Sequence, residues 1–376
     1  MRILYVANAR FPTPRAHGFQ IAKMCEAFGR AGAEVTLAVP QFEERYGDPF
    51  LYYSVERVFS LRRVPVIATF SLGSFGFFLR EFSFACAVLF SGVWRGRDVV
   101  FSRDIAAAFV LSFFHRCVVF EAHDLPKRKL LFWKIAFRRM ARVVSTNTYK
   151  AGELARRFGV RRKNILVLPN GFDPREFDGA SLREEARHRL GLPEDARIIL
   201  YTGHLYDWKG AHVLLEAARI SAKSDFDGLK SDVIFVGGTD EDVARFRKET
   251  EGIQNVQIVG HRPHREIPLW LAAADVLALP NSAKSEESVH ETSPIKLFEY
   301  MAAGRPIVAS DLPSIREIVS ESEVEFVSPD NPEALARGVS DLLSNPARAQ
   351  SLARASKAKS VQYTWENRAQ KILEAI

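Results

Sequence analysis

His290-Glu291-Thr292-Ser293-Pro294-Ile295-Lys296-Leu297-Phe298-Glu299-Tyr300-Met301-Ala302-Ala303-Gly304-Arg305-Pro306-Ile307-Val308-Ala309-Ser310 is the stretch whose reading decides the fold. Before it, Asp275-Val276-Leu277-Ala278-Leu279 runs apolar and stops at Pro280, the pattern of a short buried strand. Ser293 suits an N-cap and Pro294 the first helical position, so a helix is expected to run to Ala303. Gly304 fits its C-terminal stop, Pro306 forbids continuation, and Ile307-Val308-Ala309 reads as the next buried strand. This is one strand–loop–helix–strand unit of an open parallel α/β sheet.

Such sheets bind ligands in the crevice at the carboxyl ends of their strands. Glu291 is expected there, in the loop after the strand, with Glu299 eight positions on along the helix. The amides of the first helical turn, near Ser293 and Ile295, have no intrahelical acceptors and mark a place for an anion. Carboxylates that accept sugar hydroxyls beside amides that hold phosphate are what a nucleotide sugar requires. A solvated glutamate pair on an ordinary helix is the plain alternative.

Glu291, seven residues, Glu299, and then Tyr-Met-Ala-Ala-Gly-Arg-Pro-Ile-Val-Ala-Ser together resemble the signature of the retaining glycosyltransferases of family 4. The resemblance implies a GT-B fold: two Rossmann-like domains facing across a cleft, with the C-terminal helix crossing back to the first. It implies that Glu299 binds the ribose hydroxyls and that Glu291 lies near the donor sugar. Many members carry Gly-Phe-Gly after the first glutamate, where this chain has Thr292-Ser293-Pro294.

The 376 residues, 47% hydrophobic and 26% charged, have a globular composition long enough for two domains. We expect an N-terminal acceptor domain over 1–172, joined by a helix at 360–376, and a donor domain over 173–359. Cys25, Cys86 and Cys117 are odd in number and widely spaced, which points to reduced thiols in a cytoplasmic chain. Met1-Arg2 runs straight into a strand-like Ile3-Leu4-Tyr5-Val6, without a signal-peptide core. The apolar run from Val64 to Trp94 is broken by Arg80-Glu81 and is expected to form core helices. Charge is uneven: residues 1–172 carry 27 Lys+Arg against 12 Asp+Glu, and residues 173–376 carry 25 against 33. A basic half beside an acidic half suggests that one domain faces an anionic partner.

Along the first domain, Arg2–Asn8, Glu34–Pro40, Asp98–Ser102 and Cys117–Ala122 read as strands, with a helix over Phe19–Gly29. The loop from Ala9 to Gly18 lacks G-x-G-x-x-G, so the dinucleotide fingerprint is absent. Gly18 opens the helix, where its backbone can approach a phosphate or simply make a turn. His123 follows a strand, and family 4 places a His-Asp pair there, beside the donor sugar. The resemblance therefore gives His123 that role and Asp124 the task of orienting its imidazole. Pro126–Arg142 reads as a basic helix with Lys134, Arg138 and Arg142 on one face, a candidate for an anionic membrane surface or a plain solvated face.

Pro169-Asn170-Gly171-Phe172-Asp173 resembles the family's domain junction. In the second domain, Gly203-His204-Leu205-Tyr206-Asp207-Trp208-Lys209-Gly210 follows the strand Arg197–Thr202. Family members usually have an arginine and a lysine here, holding the diphosphate. Lys209 matches, and His204 stands in place of the arginine. His261 and Arg262 fall where members read the base. Asp225-Phe226-Asp227, the only D-x-D, lies on a helix-to-strand turn and reads as solvated, so no metal and no other cofactor is expected.

These readings converge on a metal-independent retaining glycosyltransferase. His123, Glu291 and Lys209 are its expected catalytic group, with Gly18, His204, Lys209, His261, Arg262, Thr292, Ser293, Pro294, Ile295 and Glu299 around the donor. Its expected partners are a nucleotide sugar, a glycan or lipid-linked acceptor and, through 127–142, an anionic membrane surface at the inner face; no nucleic acid is expected. A nucleotide-sugar epimerase of the same fold and a catalytically silent nucleotide-binding scaffold are the rival readings.

Overall fold

Val118-Val119-Phe120-Glu121-Ala122 and Val276-Leu277-Ala278-Leu279 are buried along their whole length, as strands of a parallel sheet covered on both faces must be. The computed structural model describes residues 1–42, 46–67, 73–126, 130–179, 182–223 and 231–376. The chain divides into one unit of Met1–Pro169 with Trp365–Ile376, and a second of Asn170–Thr364.

The first unit holds β1 (Arg2–Val6), β2 (Glu34–Pro40), β3 (Phe59–Val64), β4 (Val99–Ser102), β5 (Val118–Ala122), β6 (Arg142–Ser145) and β7 (Ile165–Val167). Their order is β3-β2-β1-β4-β5-β6-β7, and every ladder is parallel. The second unit holds β8 (Arg197–Thr202), β9 (Ser231–Val236), β10 (Val256–Gly260), β11 (Val276–Leu279), β12 (Ile307–Ser310) and β13 (Glu325–Val327). They run β10-β9-β8-β11-β12-β13, again all parallel. Strand order reverses between β1 and β4 in one sheet and between β8 and β11 in the other. Each sheet therefore has a switch point, where the loops leaving two neighbouring strands diverge and open a crevice.

Helices cover both faces of the second sheet. One side packs Leu297, Phe298 and Met301 of the helix Ile295–Ala303 against β11 and β12. The other packs Leu214, Leu215 and Ala218 of the helix Ala211–Lys223 with Leu335 and Val339 of the helix Pro332–Ser344. In the first unit the helix Gly73–Phe90 supplies Phe84, Ala85 and Val88 to the core. The phenylalanine-rich region is thus partly core, while Phe82 and Phe90 of the same helix are exposed. Among the described residues, no helix is long and apolar enough to cross a membrane.

Three expectations are corrected. The basic helix spans Leu130–Arg138, not Pro126–Arg142. Arg142 opens β6 because Ala141 N–H already bonds Val118 O at 2.8 Å and the β-branched Val143 and Val144 continue the ladder. Lys134, Arg138 and Arg142 therefore do not share a helix face, and Lys127, Arg128 and Lys129 lie outside the described residues, as do Phe70 and Asp225-Phe226-Asp227. Pro294, not Ser293, is the N-cap of the helix Ile295–Ala303. Ser293 is drawn away by Asn170, whose N–H donates to Ser293 Oγ at 3.0 Å and whose Nδ2 donates to Ser293 O at 2.8 Å. The third concerns the junction. Phe172 N–H bonds Tyr363 O at 3.0 Å, so Asn170–Asp173 packs with the second unit, and the helix Trp365–Glu374 alone returns to the first.

That terminal helix is anchored by charge. Arg368, 3% exposed, ion-pairs with the fully buried Glu121 of β5 and donates through Nε to Pro169 O at 3.0 Å. Removing one partner of a buried ion pair leaves the other charge uncompensated, at a cost of about 3–5 kcal/mol. Arg368→Met is expected to lose stability on that scale in urea unfolding, whereas Lys371→Ala, on the exposed side of the same helix, stays within about 0.5 kcal/mol of the parent.

Candidate functional site

At the switch point of the second sheet, β8 ends in Thr202, whose N–H donates to the Tyr300 hydroxyl at 2.8 Å. That bond ties the end of β8 to the helix Ile295–Ala303. Gly203 (φ +121°) then turns the chain, and Gly210 (φ +73°) closes the loop against β11's exit. A Cβ at Gly210 would stand 1.6 Å from Pro280 O, so only glycine allows this approach. Ser282 N–H and Ser288 Oγ both donate to Trp208 O, at 3.1 and 3.4 Å. The loops leaving β8 and β11 are thereby fastened to one another around the crevice.

Lys209 ends the short turn Asp207–Lys209 with its ammonium 3.7 Å from the Trp208 ring centroid. Burial lowers its pKa to about 8 against the opposing pull of Glu287. Lys296, in the first turn of the helix Ile295–Ala303, is 9% exposed and holds Nζ 3.8 Å from the Tyr201 ring centroid. Pro294 at the N-cap offers no side-chain cap to the amides of that turn. His204 stacks on Tyr206 with ring centroids 4.8 Å apart, its Nδ1 lying 4.0 Å from Asp242 Oδ2. Asn281, just past β11, is fully buried with neither Oδ1 nor Nδ2 hydrogen-bonded among the described residues.

Glu291 is half-buried and ends a single π-helical turn, Glu287–Glu291, where a plain loop was expected. Such turns are rare and recur at functional sites. Thr292 N–H bonds Glu287 O at 2.8 Å, and the chain then extends through Thr292 into the helix. Glu299 is nearly buried and accepts from His264 Nε2 at 2.7 Å. His264 Nδ1 faces Glu176 Oε2 at 3.4 Å. Burial pulls the His264 pKa down, but the two flanking carboxylates outweigh it and raise it to about 9. His261 and Arg262 lie exposed in the loop after β10.

The first unit gathers a separate group. His123 follows β5 with Nε2 3.2 Å from Glu121 Oε2, and its carbonyl accepts from Lys150 Nζ at 2.8 Å. Burial and then Arg103 hold its pKa down at about 3, against Glu121, so the imidazole is neutral. Burial raises the Glu121 pKa, yet Arg368 and His123 outweigh it and keep it well below the carboxylate range. Glu121 also accepts from Tyr5 Oη at 3.2 Å and Gln20 Nε2 at 3.1 Å. It is Glu121, not the exposed Asp124, that faces the ring. Gly18 lies buried in the third position of the helix Ala16–Arg30, where a Cβ would meet Tyr53 Oη at 2.1 Å. Tyr53 packing accounts for that glycine, and it does not open the helix as expected. Among the described residues, no group of three His, Cys, Asp or Glu is placed to hold a metal ion.

Residues 183–359 match the family of glycosyl transferases group 1, and residues 18–176 match glycosyltransferase family 4. The chain belongs to the group 1/family 4 glycosyltransferases. Among its relatives, D-inositol 3-phosphate glycosyltransferase of Streptomyces avermitilis is 28% identical over 241 residues, which are 61% of this chain and 50% of that protein. The chain spans about half the length of the curated relatives it matches. Anabaena HepE in complex with UDP superposes with a TM-score of 0.76 at 17% identity, covering 100% of this chain and 99% of that one; HepE has also been solved with UDP-glucose. Sucrose-phosphate synthase from Thermosynechococcus elongatus gives 0.78 at 19% identity, covering 99% and 97%. These solved structures establish the shared GT-B fold.

Sequence reasoning missed His264, Lys296, Asn281 and Glu121. Two carried a signal. Lys296 puts a cation in the first turn of a helix, against the macrodipole. Glu121 is a lone acid within an apolar strand.

The His264 contact has a pH signature. Its folded pKa is raised, so its stabilisation is complete below about pH 6.5 and lost as pH rises through about 9. A shift of that size corresponds to about 3 kcal/mol. His264→Gln is expected to cost that much at pH 6 and little at pH 9.5, read as the difference between parent and variant in urea unfolding at the two pH values.

Proposed function

We propose that this chain transfers a sugar from a nucleoside-diphosphate sugar to an acceptor hydroxyl with retention of configuration and without a metal ion. The observation that carries the reading is the crevice between β8 and β11. It sets Lys209, the uncapped amides of the helix Ile295–Ala303 and the near-buried Glu299 on one helix–loop corner. A departing diphosphate needs cationic and N–H partners in a site of low dielectric, and Lys209 with the helix start offers both. Glu299 keeps one carboxylate oxygen on His264 and has the other for a ribose hydroxyl. Thr292, Ser293, Pro294 and Ile295 form the backbone that leads into the amides, His204 borders the phosphates, and His261 and Arg262 stand by the base. UDP and UDP-glucose, the ligands solved in HepE, are the first donors to try.

In the reaction so proposed, the bond from sugar C1 to the β-phosphate oxygen breaks as the acceptor oxygen bonds to C1 from the same face. The acceptor proton passes to the departing phosphate. Glu291 positions sugar hydroxyls and does not act as a nucleophile, so the reaction does not follow the two-carboxylate course of a glycoside hydrolase. Incubation with UDP-, GDP- and ADP-sugars and acceptor extracts in excess EDTA is expected to release nucleotide only when acceptor is present. Proton NMR of the product should show the donor's anomeric configuration. Inversion, or dependence on Mg²⁺ or Mn²⁺, would overturn the mechanism; epimerised donor without transfer would favour the epimerase.

The acceptor belongs to the basic half, and we propose a membrane-bound glycan at the inner leaflet. Exposed Lys134, Arg138 and Arg139 stand with exposed Leu131, Ile135, Phe113 and Phe114, the Arg139 guanidinium lying 3.8 Å from the Phe113 ring centroid. Each base near an anionic leaflet adds about 1 kcal/mol, so changing all three to alanine should weaken binding roughly a hundredfold. Flotation with vesicles rich in phosphatidylglycerol at low salt measures this. If parent and variant float equally, or neither floats, a soluble anionic acceptor such as an inositol phosphate takes the lipid's place.

A further inference from the structure

We propose that Lys296 is a second phosphate-binding cation of the donor site, gripping the diphosphate together with Lys209. The inference rests on the donor reading above and deepens it. Lys296 Nζ is buried and, among the described residues, has no hydrogen-bond acceptor. It stands 3.7 Å from where a Cβ on Gly203 would be, so it reaches across from the helix Ile295–Ala303 to the first residue of the loop leaving β8. That is the loop which carries Lys209.

The balance of this placement disfavours a cation in the protein alone. The helix start presents the positive end of its dipole. The groups that face Lys296 are the Tyr201 ring from β8, Lys209 from the loop after it, and Glu299 from its own helix. Burial lowers its pKa well below the lysine range, Lys209 lowers it further, and Glu299 opposes them. Glu299 in turn is held by His264, and Lys209 is offset by Glu287. The ring contact recovers only part of what desolvation costs. A diphosphate reverses the balance, because one anion pairs both ammonium groups and accepts from the helix amides. The same crevice holds a second polar side chain, Asn281, that finds no hydrogen-bond partner among the described residues. His204, occupied with Tyr206 and facing Asp242, is poorly placed to supply this charge, so the second cation comes from the helix and not from the loop.

The test compares the full chain with Lys296→Met, which keeps the length of the side chain and removes its charge. Thermal shift with UDP, GDP and ADP first selects the nucleotide. Calorimetry at pH 8, in two buffers of different ionisation enthalpy, then measures that nucleotide, its nucleoside and inorganic pyrophosphate. The variant is expected to lose roughly ten- to hundredfold in affinity for the nucleotide and for pyrophosphate, and none for the nucleoside. It should also take up fewer protons on binding, because Lys296 no longer becomes charged. Its melting temperature without ligand should equal or exceed the parent's, since an apolar residue replaces a buried ammonium. Unchanged nucleotide affinity and proton uptake in a folded variant overturn the proposal and leave the donor reading intact. If no nucleotide binds the parent, the donor reading falls; Lys296-dependent pyrophosphate binding would then preserve the anion site by itself.

Discussion

Placing positive charge in low dielectric at the mouth of a parallel sheet is the constraint on which the second unit depends. Lys209, Lys296 and His264 are all withdrawn from water beside the crevice between β8 and β11. The sheet makes the arrangement possible. Its strand order reverses at β8 and β11, so the loops leaving those strands part, and the helix before β12 can point its N-terminus into the gap. The three cations are treated differently. His264 is locked as a cation between two carboxylates, whereas burial drives the two lysines toward neutrality. The first therefore belongs to the architecture, whereas the charge of the other two is opposed by burial.

The first unit solves a different problem with similar means. Glu121 sits near the carboxyl end of β5 without access to water, yet remains a carboxylate because Arg368 pairs with it and Tyr5, Gln20 and His123 surround it. One acidic residue thereby anchors the last helix of the chain and faces the imidazole at the end of the strand. A neutral His123 can donate from one ring nitrogen and accept at the other, and its Nε2 faces Glu121.

Elements with strong period and punctuation were legible from sequence. The strand–helix–strand unit around Glu299 was read correctly because Gly304 and Pro306 mark its end and the apolar runs leave no alternative. The errors came where a long-range partner competes with a local signal. Ser293 has the chemistry of a cap, but Asn170, 123 positions away, takes both its hydroxyl and its carbonyl. Arg142 continues a basic period, but β5 recruits it into a strand. Gly18 looks like a phosphate-approach glycine, and only the fold shows Tyr53 filling the space above it.

The candidate site was half legible for the same reason. Glu299, Glu291 and Lys209 stand in strings of residues that carry their own context, while His264 acquires meaning only through Glu176 and Glu299, which are far from it in the chain. Lys296 lies inside the quoted stretch, and its type and its place in the helix were both visible. What the sequence could not reveal was that its ammonium points inward, toward Gly203 and the Tyr201 ring, instead of outward to solvent as a lysine ordinarily would. A long flexible side chain chooses between those directions by tertiary packing. Turned inward, its amine is buried without a hydrogen-bond acceptor among the described residues, and burial beside Lys209 favours its neutral form.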